Sequence, residues 1–186
     1  MVARRGEAAR QRILDATRNV IYEGGLEAFS VEAVAAASGA ARSTVYRHWP
    51  EPKELVVDAL LSMSSAFPTP DTGSLATDID ALASALRPIF NDPRTRRLIL
   101  DLTRSAGEDP VMERVAQELS RNRQASTQTI LQRAIARGEI DPDIDLEIAL
   151  HLVEGPILSS ALMQNLPIGD NAFDDMVTRI VRALAG

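Results

Sequence analysis

Cysteine is absent from the 186-residue sequence, which excludes disulfides, thiolate metal sites and cysteine nucleophiles. Histidine occurs only twice, at His48 and His151, and no His/Asp/Glu cluster has metal-ligand spacing. No metal or other cofactor is expected. Lys53 is the only lysine and Trp49 the only tryptophan, and aromatic residues make up 4% of the chain. No run approaches the roughly 18 apolar residues of a membrane span, so no membrane association is expected. The opening "MVARRGEAARQRIL" has basic residues with no long apolar core behind them, unlike a secretory signal. A cytoplasmic location follows as the expectation. Serines sit in caps, in loops or on helices without a glycine elbow, and no acid–base pair stands out. An enzyme is therefore not expected.

What is present suits a globular protein of one large or two small domains, with 45% hydrophobic and 25% charged residues. The net charge of -6 taken alone argues against nucleic acid, but the distribution matters more than the sum. Residues 1–55 carry 8 Lys+Arg against 7 Asp+Glu, whereas the remainder carries 12 against 19. The acidity lies beyond the first third.

Helical periodicity dominates, with no period-2 strand pattern and no internal repeat. From about Glu7 to Glu23, Ile13, Ala16, Val20 and Ile21 recur at helical spacing before Gly24 and Gly25 end the run. Ser30 is a suitable N-cap for "VEAVAAAS", and Gly39 closes that short helix. A third short helix over about Arg42–Trp49 stops at Pro50, and "PEPKELVVDALLSM" starts a fourth with Pro52 in its first turn. After the loop "AFPTPDTGS", helices are predicted near Leu75–Phe90, Arg94–Ala106, Pro110–Arg137, Asp145–Leu166 and Asp170–Leu184. The expected fold is all-α with about nine helices.

The last predicted helix has one apolar stripe, including Phe173, Val177, Ile180 and Leu184. The one before it is apolar nearly all round, so it needs cover on more than one side. It is read as packing on its own core with one face and on a second subunit with another, or else as the centre of a monomer. The expected homodimer interface comprises Leu152, Gly155, Pro156, Ser159, Met163, Val177, Ile180 and Leu184. Pro156 should kink this helix or loosen a turn.

Two short helices joined through Gly39 form a helix-turn-helix, whose second member can enter a major groove. Arg42 and Arg47 offer guanidinium forks for guanine edges or phosphates. Ser43, Thr44 and Tyr46 carry hydroxyls within reach of phosphate, and Lys53 begins the next helix, placed for a backbone contact. Val45 and Trp49, four residues apart, can anchor the inner face. With Ser30 and His48, the DNA-facing set is Ser30, Arg42, Ser43, Thr44, Tyr46, Arg47, His48 and Lys53. Arg4 and Arg5 are read as a basic arm or as an unstructured start.

The stretch "FSVEAVAAASGAARSTVYRHWPEPKELVVDAL" resembles the N-terminal signature of TetR-type (tetracycline-repressor-like) transcriptional regulators. Val34-Ala35 stands where the family has an Ile-Ala pair, and Tyr46, Trp49 and Lys53-Glu54-Leu55 follow its order. Departures are Ala41, which cannot cap, Arg42-Ser43 in place of a frequent lysine-glycine pair, and Trp49 in place of phenylalanine. The resemblance implies a helix-turn-helix DNA-binding domain over 1–55 and a ligand-binding and dimerisation domain over 56–186. It implies a repressor that binds a double-stranded, pseudo-palindromic operator as a homodimer and is released by a small-molecule effector. Family pockets lie within the C-terminal helices, which brings in Phe90, Leu98 and Leu102. Along the helix from Pro110, Met112, Asn122 and Ser126 share a face and combine apolar with polar groups, as ligand sites do, or as an exposed middle section would. His151 either is a hydrogen-bonded core histidine or faces a ligand. The competing reading is a helical protein-interaction module whose hairpin only looks like a reading head.

Overall fold

A computed structural model of the protein describes residues 2–63, 67–163 and 170–185. Among these residues it contains nine α-helices and no strand: α1 (Val2–Gly24), α2 (Val31–Ser38), α3 (Arg42–His48), α4 (Pro52–Met63), α5 (Leu75–Asn91), α6 (Pro93–Glu108), α7 (Pro110–Ala136), α8 (Leu146–Leu158) and α9 (Asp170–Ala185). A 3-10 turn spans Leu26–Ala28, and a π-helical turn over Ser159–Met163 follows α8. The all-α expectation holds. α1 starts at Val2 and not near Glu7, so Arg4 and Arg5 lie on its backbone, with side chains outside the described residues. The predicted end of the α8 helix, 164–166, also lies outside them.

The chain packs into two units. The first comprises residues 1–65 and 97–119, the second 66–96 and 120–186. The expected division at 55/56 does not follow this packing: Leu55, Ala59 and Leu60 of α4 are buried in the first unit's core. That core also holds Ile13 and Ile21 of α1, Val34 of α2 and Val45 and Trp49 of α3, joined by Leu102 of α6 and Met112 of α7. Each fully buried aliphatic side chain contributes about 1.5–3 kcal/mol.

Local signals set the helix ends. Ser30 Oγ accepts from Ala33 N at 3.1 Å, capping α2, and Gly39 ends it in the left-handed region at φ 66°. Gly25 is constrained twice. Its φ of 82° disfavours side chains, and a Cβ there would sit 2.7 Å from Asp101 Oδ2. That closeness reflects how α6 closes off α1. Arg97 donates to the carbonyls of Glu23 at 2.5 Å and Tyr22 at 3.4 Å, and Asp101 Oδ2 accepts from Leu26 N at 3.1 Å. A cation on the last carbonyls of a helix satisfies orphan acceptors and complements the macrodipole.

In the second unit α5 packs on α8 and α9, with Leu75, Ile79, Leu82, Ile130, Leu131 and Phe173 buried. Arg87 lies over the Phe173 ring at 5.3 Å. The start of α5 is organised by Asp78, which is fully buried. Its carboxylate accepts from Thr72 N at 2.6 Å, Thr72 Oγ1 at 2.7 Å and Arg137 at 3.2 Å. Burial pushes its pKa upward, but the Thr72 and Arg137 hydrogen bonds outweigh it, and the pKa ends below the ordinary carboxylate value. A depressed folded-state pKa stabilises the fold above the unfolded pKa and is lost as pH falls through the folded value.

Asp78→Ala is expected to lower stability by about 1–3 kcal/mol, since it leaves the Thr72 N–H without its acceptor and takes one of two carboxylate partners from Arg137. Chemical denaturation at pH 7 measures this. The gap between wild type and variant should be full at neutral pH and narrow only below about pH 4, where the unfolded carboxyl itself titrates.

Candidate nucleic-acid interface

α3 is seven residues long and begins without a side-chain cap, because Ala41 at the N-cap offers no acceptor. So short a helix does not hold in isolation; its inner face has to be fixed by packing. Val45 is 1% exposed and Trp49 3%. The indole N–H of Trp49 donates to Asp58 Oδ2 at 2.9 Å, and Arg10 of α1 bonds the same oxygen at 2.7 Å while its guanidinium stands 5.0 Å from the Trp49 ring centre. Three helices thus meet on one buried indole. The role expected for Val45 and Trp49 as inward anchors matches this packing.

With the inner face fixed, Arg42, Ser43, Tyr46 and Arg47 point outward and are exposed, and Thr44 is half-buried. Four hydrogen-bonding side chains on one projecting face suit phosphate and base-edge contact. His48 differs from the expected set. It is half-buried, its ring lies 5.8 Å from that of Trp49, and its buried Nε2 has no hydrogen-bond partner among the described residues. Ser30 spends its hydroxyl on the α2 cap.

Two of the cations are already paired. Arg42 donates to Glu32 Oε1 of α2 at 2.8 Å, which holds the Glu32 carboxyl below its ordinary pKa. Lys53 bonds Asp109, at the turn between α6 and α7, and lowers the Asp109 pKa, helped by the Val111 and Met112 N–H groups. Arg42, Glu32 and Lys53 are exposed and Asp109 is half-buried, so both pairs are open to competition. Glu32, Asp58, Asp109 and Arg10 were not foreseen. Asp109 lies 56 residues from Lys53, and no short-range pattern links them.

The expected ligand residues are not brought together. Leu98, Leu102 and Met112 belong to the first unit's apolar core, because α6 and the start of α7 pack there. Phe90 is buried in the second unit, and Ser126 bonds the Pro68 carbonyl and the Thr69 hydroxyl. Asn122 and His151 are exposed, so His151 is not a core histidine: it lies opposite the buried face of α8 made by Ala149, Val153 and Ile157. In the expected interface set, Val177, Ile180 and Leu184 are 6%, 6% and 3% exposed within their own chain and have no area left for a partner. Leu152 and Met163, at 41% and 82%, remain exposed, with Ser159 beside them and Gly155 and Pro156 half-buried. Among the described residues no three His, Asp or Glu are placed to hold a metal, and no helix is long and apolar enough to cross a membrane.

Comparison with known proteins places these features in a wider group. A family described as "Bacterial regulatory proteins, tetR family" matches residues 13–60, and one described as "Tetracyclin repressor-like, C-terminal domain" matches residues 69–180. The chain is 31% identical to a "DNA-binding transcriptional repressor TetR" of Mycobacteroides abscessus, covering 98% of both proteins. It is 32% identical to the "HTH-type transcriptional regulator AqdR" of Rhodococcus erythropolis, over 81% of this chain and 73% of that one. The crystal structure of the TetR family transcription regulator SCO0332 superposes with a TM-score of 0.73 at 25% identity, covering 96% of this chain and 99% of that one.

Because Asp109 occupies Lys53, Asp109→Asn should tighten DNA binding at low salt and steepen the log–log salt dependence by about one unit. Fluorescence anisotropy across a salt series reads both, and an unchanged slope would show that Lys53 is not held back.

Proposed function

Since the chain belongs to the TetR family of bacterial transcriptional regulators, we propose that its α3 face reads a pseudo-palindromic operator as one half of a homodimeric repressor. The observation that carries this reading is the division of α3 into a buried Val45/Trp49 side and an exposed Arg42/Ser43/Tyr46/Arg47 side. Arg47 and Arg42 address base edges or phosphates in the major groove. Lys53 and the hydroxyls of Ser43, Thr44 and Tyr46 fix the register on the backbone. The unit of residues 1–65 and 97–119 serves as the DNA-binding part and that of 66–96 and 120–186 as the effector and dimer part, acting in the cytoplasm, where such a DNA target lies.

The dimer is supported by the exposed apolar face of α8, where Ile148 is 58% and Leu152 41% exposed. A small, largely apolar effector acts on the C-terminal part. Two half-sites one helical turn apart require reading heads about 34–36 Å apart. An effector that favours another spacing weakens operator binding through a coupling on the order of 1–3 kcal/mol. α4 carries that change to α3, since Asp58 of α4 holds Trp49.

Arg47→Ala should relax sequence preference, whereas Lys53→Ala should weaken binding to all sequences alike, with little change in the salt dependence because Asp109 already pairs with that cation. Anisotropy against DNA selected from the chain's own genome, repeated on scrambled duplexes, separates the two effects. Wild-type affinity in both variants would remove α3 as the reading head, and no specific complex at all would favour an interaction module. Leu152→Asp should shift the protein to monomers in analytical ultracentrifugation and weaken operator binding more than tenfold, as expected when one of two half-sites is lost.

A further inference from the structure

Glu32 puts a negative charge on a surface that has to meet phosphates. It is the second residue of α2, in the first turn capped by Ser30. In a helix-turn-helix the first helix crosses the phosphate backbone, while the N-terminal residues of the second reach base edges. A carboxylate at that end weakens binding to every sequence. Its bond to Arg42 adds little to stability in return, because the two side chains are 64% and 65% exposed. What the bond changes is the direction of Arg42.

Arg42 is the first residue of α3, the position from which base edges are reached, and nothing in its own helix holds it. The cap residue Ala41 has no side-chain acceptor, and the first turn of α3 contains no acidic residue. Glu32 supplies the acceptor from ten residues back: its Oε1 takes a hydrogen bond from Arg42 Nη1 at 2.8 Å. Both ends of this bridge are fixed by packing beneath it. Val34 of α2 and Val45 of α3 are 0% and 1% exposed within one core, and the left-handed Gly39 turns the chain between the two helices. Bonding at Nη1 leaves the fork of Nε and Nη2, two parallel donors that match guanine O6 and N7.

We propose that Glu32 is a positioning residue that braces Arg42 to read a guanine in each half-site; the inference rests on the regulator reading above. A phosphate off the line of the fork is reached only by breaking the bond to Glu32. A guanine in line with the fork is met with the brace in place. A braced arginine also has fewer side-chain conformations to lose when it meets its base. Both effects raise the ratio of specific to non-specific binding, at a cost in total affinity.

The test is fluorescence anisotropy on the full-length protein with a duplex selected from the chain's own genome, its single-base variants and a scrambled duplex. Arg42→Ala should lose, at one position per half-site, a guanine preference of at least about tenfold. Glu32→Gln, which keeps the size and removes the charge, should cut that same preference by about threefold or more. It should also bind the scrambled duplex more tightly at low salt and steepen the log–log salt dependence there by up to about one unit. Glu32→Ala removes the acceptor as well, so it should act at least as strongly, and it decides the matter if glutamine keeps the bond. In the Arg42→Ala background neither change at Glu32 should move any base preference. A carboxylate that only repelled DNA would, once neutralised, tighten binding to both duplexes by the same factor and leave every base preference unchanged. That result overturns the proposal, as does an Arg42→Ala variant with every base preference intact, and both leave the regulator reading standing. An unaltered protein that binds the selected and scrambled duplexes equally refutes the regulator reading, and the proposal falls with it.

Discussion

The burial of one indole is the constraint on which the DNA-facing end depends. A helix of seven residues without a cap has no means of holding its own direction. Trp49 sits just beyond its end, and Asp58 accepts from the indole N–H while also accepting from Arg10. α1 and α4 thereby fix the orientation of α3, and the exposed arginines inherit it. The positions of Arg42 and Arg47 are therefore consequences of a buried contact made on the other side of the helix.

The acidity of the protein takes on a local meaning at this end. Glu32 and Asp109 each hold a cation of the DNA-facing set, so the surface is partly self-neutralised before DNA arrives. Any anion that meets this surface must compete for Arg42 and Lys53. Exposed pairs of this kind are weak enough to be exchanged and strong enough to reduce indiscriminate attraction to any polyanion. Asp109 sits at the turn between α6 and α7, so this pair ties the start of α4 to that turn.

α6 is also the element that closes α1. Arg97 and Asp101 take up the carbonyls and the N–H that the end of α1 leaves open, and Gly25 leaves room for Asp101 at a distance no side chain would tolerate. The part of the chain that follows α5 is therefore built into the helix-turn-helix unit. α6 and α7 each contribute residues to both units.

Local chemistry determined a good deal. Gly39, Ser30 and Pro50 mark the helix-turn-helix, because a left-handed glycine, a serine cap and a missing N–H act within a few residues. The spacing of Val45 and Trp49 made the inner face of α3 legible, and Pro156 foretold a disturbed α8. The motif that identified the family is itself short-range. Partners from distant parts of the chain were decided only by tertiary structure. Val177, Ile180 and Leu184 form a stripe that a neighbouring subunit or the chain's own α5 could cover equally well, and packing chose α5. Leu98, Leu102 and Met112 read as pocket lining until α6 and α7 placed them in the first core. Glu154 lies 27 residues from Thr127 and 31 from Arg123, so no periodicity could announce that it accepts hydrogen bonds from both. Helix ends and faces obey forces that act over one or two turns, whereas ion pairs and cavities depend on which faces meet. That choice belongs to the folded chain as a whole.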